Sequence, residues 1–384
     1  MLPSAADQRC MARALELAVR GQGFVEPNPM VGCVVTQQDR IVGEGWHARF
    51  GDLHAEPVAL QAAGAAARDA TLYVTLEPCC HQGKTGPCTR AILQAGIARV
   101  VVAQQDPFAA VAGGGIAELR RAGVAVEVGL MEAEARWLNA PYLKRVGAGR
   151  PWLIAKWAIS LDGKIASRSG ESAWITGAQA RRRVHQLRGR MDAILVGSRT
   201  AQADDPQLTV RPPGARIPLR IVVDSQARLA ETSYLVRTAD QVPVLVAAGP
   251  AAPEARCRRL RQAGCEVWVG AAADPDQRLQ ELCRELGRRQ MTNVLVEGGG
   301  RLLGSLFDAG ALDEVYGFVA AKLIGGAAAP SPLAGLGCPN MAQVPTLEGL
   351  KIELIDNDVL IQGRIPRRSV PTPDPPRHPR DHHR

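Results

Sequence analysis

Three short polar motifs constrain this chain most, because their residues are useful only if the fold brings them together. They are His54-Ala-Glu56, Glu77-Pro-Cys79-Cys80-His81 and Pro87-Cys88. The first is expected at the start of a helix, the second at the end of a strand and the third at the start of the next helix. One imidazole and two thiolates make the three-ligand set of a zinc site that performs chemistry and leaves its fourth position open. A cysteine at a helix N-terminus lies at the positive end of the helix dipole, which favours the thiolate a metal needs. The bound water then titrates near neutral pH. Glu56, two residues after His54, can face such a site without ligating the ion and can carry protons there. A lone histidine or cysteine is more often a satisfied core residue; three motifs in this order on the right element ends carry the metal reading.

The segment from Cys79 to Cys88 encloses eight residues, CHQGKTGP, rather than the short Cys-x-x-Cys form. Cys80 and His81 are therefore rival ligands. Pro87 at a helix start favours Cys88, giving His54, Cys79 and Cys88 as the expected metal ligands. His-x-Glu followed by a later Pro-Cys pair is the pattern of zinc deaminases that act on nucleobases.

At 384 residues the chain exceeds one ordinary core, so two domains are expected. Hydrophobic residues at 46% and charged residues at 22% fit a globular protein, and no apolar run approaches the roughly 18 residues that span a bilayer. Asp7, Arg9, Arg13 and Glu16 interrupt the first apolar pattern, which argues against a secretory signal and for a cytoplasmic, non-membrane protein. Of nine cysteines, three cluster at 79, 80 and 88 and the rest are scattered, which fits reduced thiols plus a metal better than disulfides. The net charge is +8, of which the segment Pro366–Arg384 holds +3 from five Arg against two Asp. Its six prolines and its His378, His382 and His383 suit a solvated, disordered basic tail better than a metal tract. Only 4% of residues are aromatic, so stacking platforms for nucleic acid are scarce. An anionic small-molecule substrate accounts better for the surplus arginine, and a homo-oligomer is expected.

Hydrophobic periodicity predicts a helix over 7–20, a hairpin of strands 31–36 and 41–44, and a helix over 55–67. It continues with strand 71–76, helix 88–95, strand 98–103, helix 116–122 and strand 125–128. This alternation implies an α/β domain over 1–147 with helices on both faces of a largely parallel sheet. Gly147-Ala-Gly-Arg-Pro151 punctuates the chain, and a second α/β unit is expected over 151–365, followed by the tail at 366–384. Its strands are placed at 152–160, 193–198, 220–224, 243–248, 266–269, 293–297 and 314–320. Its helices are placed near 177–189, 253–263, 275–289 and 301–309, with a closing hairpin that turns at Asp356–Asp358.

In this second unit, strand 293–297 runs into Gly298-Gly299-Gly300 and a helix carrying Gly304. The spacing departs by one residue from the dinucleotide fingerprint, yet glycines at a helix start still let a phosphate approach free backbone N–H groups. A tight strand-to-helix turn reads equally well. Val196-Gly-Ser-Arg-Thr200 with Ala203-Asp-Asp-Pro206, and Asp224-Ser225, end two further strands, where ligands of open α/β sheets bind.

Asn28-Pro-Met-Val-Gly32, His54-Ala-Glu56, Leu76-Glu-Pro-Cys-Cys-His81 and Gly86-Pro-Cys88 closely resemble the deaminase half of the RibD family of bifunctional riboflavin biosynthesis proteins. Ser160-Leu-Asp-Gly-Lys164, Gly170-Glu-Ser-Ala-Trp-Ile-Thr176, Ala203-Asp-Asp-Pro206, Val296-Glu-Gly-Gly299 and Lys322-Leu-Ile-Gly-Gly326 resemble its reductase half. The match runs in order from about residue 7 to about residue 363. It implies a three-layer α/β/α cytidine-deaminase-like domain followed by a dihydrofolate-reductase-like α/β domain. It implies zinc-dependent removal of the 2-amino group of 2,5-diamino-6-(5-phosphoribosylamino)pyrimidin-4-one, then reduction of the ribosyl group to ribityl with NADPH. Carried onto this chain, His54, Cys79 and Cys88 would hold zinc, Glu56 would shuttle protons and Asn28 would orient the pyrimidine. Ala158, Trp174, Thr200, Asp204 and Ser225 would line the NADPH site, with Gly298, Gly299 and Gly300 nearby. Ser172, Arg188, Leu208, Arg211 and Glu297 would contact substrate, Arg188 and Arg211 as forks for its 5′-phosphate. Lys156 would stabilise or protonate the opening sugar, unless it serves a structural ion pair.

Residues 108–115 read Phe-Ala-Ala-Val-Ala-Gly-Gly-Gly where the family has Asn-Pro and Gly-Arg-Gly, so a substrate-phosphate contact there is expected to differ. Pro57 stands where valine is usual and is tolerated in a first helical turn. Two other readings compete. One is a cytidine or RNA-adenosine deaminase fused to an unrelated domain; the other is a zinc-stabilised scaffold with no activity, which the presence of Glu56 disfavours.

Overall fold

The computed structural model describes residues 4–83, 86–212, 214 and 216–366, and the proposed basic tail lies outside the described residues apart from Pro366. Two β-sheets organise the chain. The first has the order β2-β1-β3-β4-β5, formed by β1 (Gly32–Gln37), β2 (Arg40–Trp46), β3 (Thr71–Val74), β4 (Arg99–Val102) and β5 (Ala125–Val128). β3, β4 and β5 run parallel, whereas β1 is antiparallel to both β2 and β3. The sheet is therefore more mixed than alternation suggested. The short turn after β1 forces β2 back alongside it, and β1 then lies between that partner and β3.

Both faces of this sheet are covered, and the side-chain alternation of each strand divides its apolar residues between them. Cys33, Val35, Leu72, Val74, Val100 and Val102 pack with Ala55, Ala59, Leu60 and Ile92 on one side. Val34, Tyr73, Val101 and Ala103 pack with Met11, Ala14 and Leu17 on the other. The helix Ala5–Val19 starts at a capping box between Ser4 and Asp7. It lies so close to β1 that a Cβ on Gly32 would stand 1.9 Å from the Ala14 carbonyl oxygen.

The helices Glu132–Leu138 and Ala140–Ala148 precede the boundary, and Gly149 ends the second in the left-handed conformation. Periodicity did not mark these helices because only Ala135 and Tyr142 are buried in them. The second sheet follows, in the order β10-β9-β8-β7-β11-β6-β12-β14-β13. Its strands are β6 (Trp152–Ser160), β7 (Ala193–Gly197), β8 (Leu219–Val223), β9 (Val244–Ala248), β10 (Glu266–Val269), β11 (Asn293–Val296), β12 (Glu314–Ala320), β13 (Glu348–Ile355) and β14 (Asp358–Arg364). All neighbours are parallel except the pairs β12–β14 and β13–β14. Again the strands feed two cores, with Ile154, Ile194, Val222 and Leu295 on one face and Leu153, Leu195, Ile221 and Val294 on the other.

Ionic contacts tie the two units. Arg216 bonds both the Glu26 backbone oxygen and the Asp192 carboxylate. Asn293 reaches the Glu26 carboxylate at 3.4 Å. Lys144 pairs with Asp313 at 2.5 Å, and the same carboxylate accepts from the Leu153 N–H at 2.7 Å. The Arg364 guanidinium lies 3.9 Å from the Trp137 ring centroid and 5.1 Å from that of Trp152. Breaking one partner of a buried pair leaves an uncompensated charge. Lys144→Met should therefore destabilise the chain by about 2–4 kcal/mol, read as a lower thermal midpoint. An unchanged midpoint would show that this contact adds nothing to domain docking.

Candidate active sites

His54 is the N-cap of the helix Ala55–Ala63, and it makes no side-chain capping bond there. Its ring instead faces the cysteines. Cys79 follows β3, and Cys88 is the first residue of the helix Cys88–Ala95. His54 Nδ1 lies 3.6 Å from Cys79 Sγ and 3.3 Å from Cys88 Sγ, and one ligand atom from each residue falls within 4.8 Å of the others. The Cys88 backbone N–H points at Cys79 Sγ at 3.4 Å, so the helix start stabilises negative charge on that sulfur. Hydrogen bonding from Cys88, and then from His54, lowers the Cys79 pKa against the opposing effect of burial. The donor set and its spread fit a zinc ion. Cys80 is elsewhere: its Sγ faces the Ala110 carbonyl at 3.9 Å.

Glu56 is buried in the same pocket. Burial first, and the neighbouring Cys79 second, push its carboxyl up to about 7. Asn28 lines this pocket, and its amide nitrogen lies 3.1 Å from His47 Nε2. His47 was not singled out from the sequence, yet it is buried, lines the pocket and packs edge-on against His54 at 5.2 Å. Its other nitrogen lies 3.0 Å from the Leu53 carbonyl oxygen, and burial lowers its pKa, which favours the neutral ring. His81 also lines the pocket, as does Gln290 from the second unit. A sequence signal did exist. Outside the tail the chain has only four histidines, and each lines one of its two main cavities.

The glycines at 113–115 have a structural cause. Glu77 accepts backbone N–H groups from Asp106 at 3.2 Å, Gly113 at 3.0 Å and Ile116 at 3.1 Å. This draws the helix Gly114–Arg121 onto the turn before Cys80, where a Cβ on Gly115 would stand 2.0 Å from the Pro78 oxygen.

The larger cavity, of about 2350 Å³, opens at the carboxyl ends of the second sheet's parallel strands. It is lined by Lys156 and Ala158 of β6, Thr200 after β7, Ser225 after β8, and Glu297 with Gly298, Gly299 and Gly300 after β11. Ser172, Trp174, Arg188, Asp204, Leu208 and Arg211 complete the set, so every residue expected of the reductase site borders one space. Ser172 donates to Asp204 at 3.3 Å. Gly299 holds a positive φ of 77°, and a Cβ on Gly298 would stand 2.9 Å from the Thr200 side chain. This backbone cradle suits the close approach of a nucleotide's phosphates. Gly304 serves packing instead, since a Cβ there would overlap the Ala334 carbonyl.

Glu297 organises the inner end. Arg188 grips it with Nε at 2.5 Å and Nη2 at 2.9 Å, and Lys156 Nζ sits 3.2 Å away. Burial works against this carboxylate, but Arg188 and Lys156 together hold its pKa down to about 2. The Arg188 fork, expected for a phosphate, is thus already occupied, and its Nη1 bonds the Thr209 carbonyl at 3.1 Å. Arg211 makes no ion pair among the described residues and is exposed at the cavity rim.

Two family models match the chain: the cytidine and deoxycytidylate deaminase zinc-binding region over residues 4–104, and the RibD C-terminal domain over 151–361. The riboflavin biosynthesis protein RibD of Escherichia coli K12 is 41% identical over 379 residues, covering 92% of this chain and 98% of its own. That of Actinobacillus pleuropneumoniae is 40% identical, covering 91% and 93%. The solved Acinetobacter baumannii RibD superposes with a TM-score of 0.82 at 36% identity, covering 94% of this chain and 99% of that one. A diaminohydroxyphosphoribosylaminopyrimidine deaminase/5-amino-6-(5-phosphoribosylamino)uracil reductase of Thermotoga maritima gives 0.79 at 34% identity, covering 93% and 98%.

The rival cysteines can be separated by elemental analysis. Cys88→Ala should drop bound zinc well below one ion per chain, whereas Cys80→Ala should leave it near one. Equal zinc in both variants would mean that the cluster of His54, Cys79 and Cys88 is not the metal site.

Proposed function

This chain belongs to the RibD family, and on that premise we propose which of its residues carry the two reactions. It is a bifunctional deaminase and reductase of riboflavin biosynthesis that uses zinc and NADPH. Its cytidine-deaminase-like domain precedes a dihydrofolate-reductase-like one. We assign deamination of 2,5-diamino-6-(5-phosphoribosylamino)pyrimidin-4-one to residues 1–147 and reduction of the resulting uracil's ribosyl group to residues 151–365.

The observation that carries the deaminase assignment is a buried carboxyl, Glu56, in one pocket with His54 and Cys79, whose ligand atoms cluster with that of Cys88. Zinc there supplies a Lewis acid that acidifies water near neutral pH. His54, Cys79 and Cys88 would hold the ion. Glu56 would take one proton from the attacking water and pass it to the ring nitrogen, then take the second from the added hydroxyl and deliver it to the amine that leaves as ammonia. Its raised pKa suits both halves of that transfer. Asn28 and His47, paired with each other, present a fixed edge to the pyrimidine.

Bound in the reductase cavity, NADPH would supply the hydride that reduces C1′ of the opened sugar. Ala158, Trp174, Thr200, Asp204, Ser225 and Gly298–Gly300 surround the cofactor; Ser172, Leu208 and Arg211 meet substrate. Glu297 stays ionised, fixes Lys156 and orients its ammonium toward the sugar. With the Arg188 fork bound to Glu297, Arg211 is the freer group for the 5′-phosphate.

A homo-oligomer fits the far edge of the second sheet. β13 ends the strand order, and Leu350, Ile352 and Leu354 on one of its faces are 55%, 66% and 74% exposed. A reducing, cytoplasmic setting suits nine cysteines that are all free. Among the described residues no helix is long and apolar enough to cross a membrane.

The deciding assay incubates the chain with the diaminopyrimidine and follows product mass. Glu56→Gln should cut deamination by about 10² or more while zinc content and NADPH-dependent reduction persist. Near-normal deamination in that variant would remove Glu56 from the mechanism. Ile352→Asp should shift the native mass measured by light scattering toward the monomer; a monomeric wild-type chain would refute the oligomer.

A further inference from the structure

The reductase cavity extends past the glycine cradle along the ends of β7, β8 and β9, away from Lys156 and Glu297. At that outer end stands Arg278, in the first turns of the helix Pro275–Arg288. It is 7% exposed, yet it borders the cavity. Its Nη1 donates to the Ala272 and Ala273 carbonyls at 2.7 and 3.0 Å, and its Nη2 donates to Ser225 Oγ at 2.7 Å. These bonds hold the guanidinium in place, and among the described residues it pairs with no carboxylate. A guanidinium has five N–H donors, so two remain available.

The slot for this side chain is built. A Cβ on Gly270, just after β10, would stand 2.6 Å from Arg278 Cγ, and one on Gly249, just after β9, would stand 3.1 Å from its Cζ. Two strand ends thus carry glycine where a buried cation passes. Burying a cation without a carboxylate is costly unless an anion arrives. Ser225 accepts from Arg278, which leaves its hydroxyl hydrogen free to donate to that same anion.

We propose that Arg278, with Ser225, is the residue pair that recognises the 2′-phosphate of NADPH and so selects it over NADH. The inference rests on reading this cavity as the cofactor site. A dinucleotide with its diphosphate on Gly298–Gly300 and its nicotinamide toward Lys156 extends its adenosine toward β8 and β9. Arg199 and Arg301 also border the cavity, but each adjoins the glycine cradle in sequence or through Thr200, which suits them to the diphosphate. A phosphate dianion held by a fixed guanidinium and a hydroxyl gains charge-assisted bonds that a ribose hydroxyl cannot replace.

Calorimetric titration of the full chain with adenosine 2′,5′-bisphosphate and with adenosine 5′-monophosphate tests this without turnover. The wild type should bind the bisphosphate about tenfold tighter or more. Arg278→Gln should erase most of that preference while binding of the monophosphate changes little. A folded Arg278→Gln protein that keeps the full preference overturns the proposal. If that variant does not fold, Arg278→Lys decides. Selective loss for the bisphosphate supports recognition, and an equal loss for both nucleotides reduces Arg278 to a structural role. A wild type with no preference for the bisphosphate refutes the cofactor reading itself and the inference with it.

Discussion

Each parallel strand in this protein hands the chain to a turn or helix whose first N–H groups have no partner inside the helix. Both sites are built on those ends. In the first unit, Cys79 follows β3 and receives the N–H of Cys88, the first residue of the next helix. In the second, Thr200, Ser225 and the Gly298–Gly300 cradle follow β7, β8 and β11. The sheet interiors are saturated with hydrogen bonds and apolar packing, so chemistry has room only where strands stop. That constraint places Cys79 and the Gly298–Gly300 turn at the carboxyl ends of parallel strands in two different sheets.

Three buried carboxylates show how the fold meets the cost of desolvating charge. Glu77 is satisfied by backbone N–H groups and becomes a brace for the loop above the deaminase pocket. Glu297 is satisfied by Arg188 and Lys156 and remains ionised. Glu56 has no cationic fork, so burial raises its pKa instead. The same residue type is thus held by backbone amides, by cations, or by neither and with its pKa raised, according to what the surrounding elements offer it.

The two units are not independent beads. Arg216 joins Glu26 to Asp192, Lys144 joins Asp313, and Arg364 lies against Trp137 and Trp152. Gln290 of the reductase unit lines the deaminase pocket. The deaminase pocket therefore takes part of its lining from the other half, whereas the reductase cavity is lined by its own unit.

Much of this was legible in the sequence. Continuous apolar runs marked the central strands, because strands buried on both faces are almost wholly apolar. Metal and proton chemistry demands particular residue types near element ends, so His54, Glu56, Cys79 and Cys88 stood out. The helices Glu132–Leu138 and Ala140–Ala148 did not, since little of either is buried. Nor did His47, whose place in the pocket comes from a loop without periodicity. The structure alone decided the antiparallel pairing of β1 with β3, the direction of Cys80, and the capture of the Arg188 fork by Glu297. The physical reason is sequence distance. Spacing within a turn or helix is fixed by local geometry, whereas Arg188 and Glu297, 109 positions apart in sequence, come together only when the sheet is assembled.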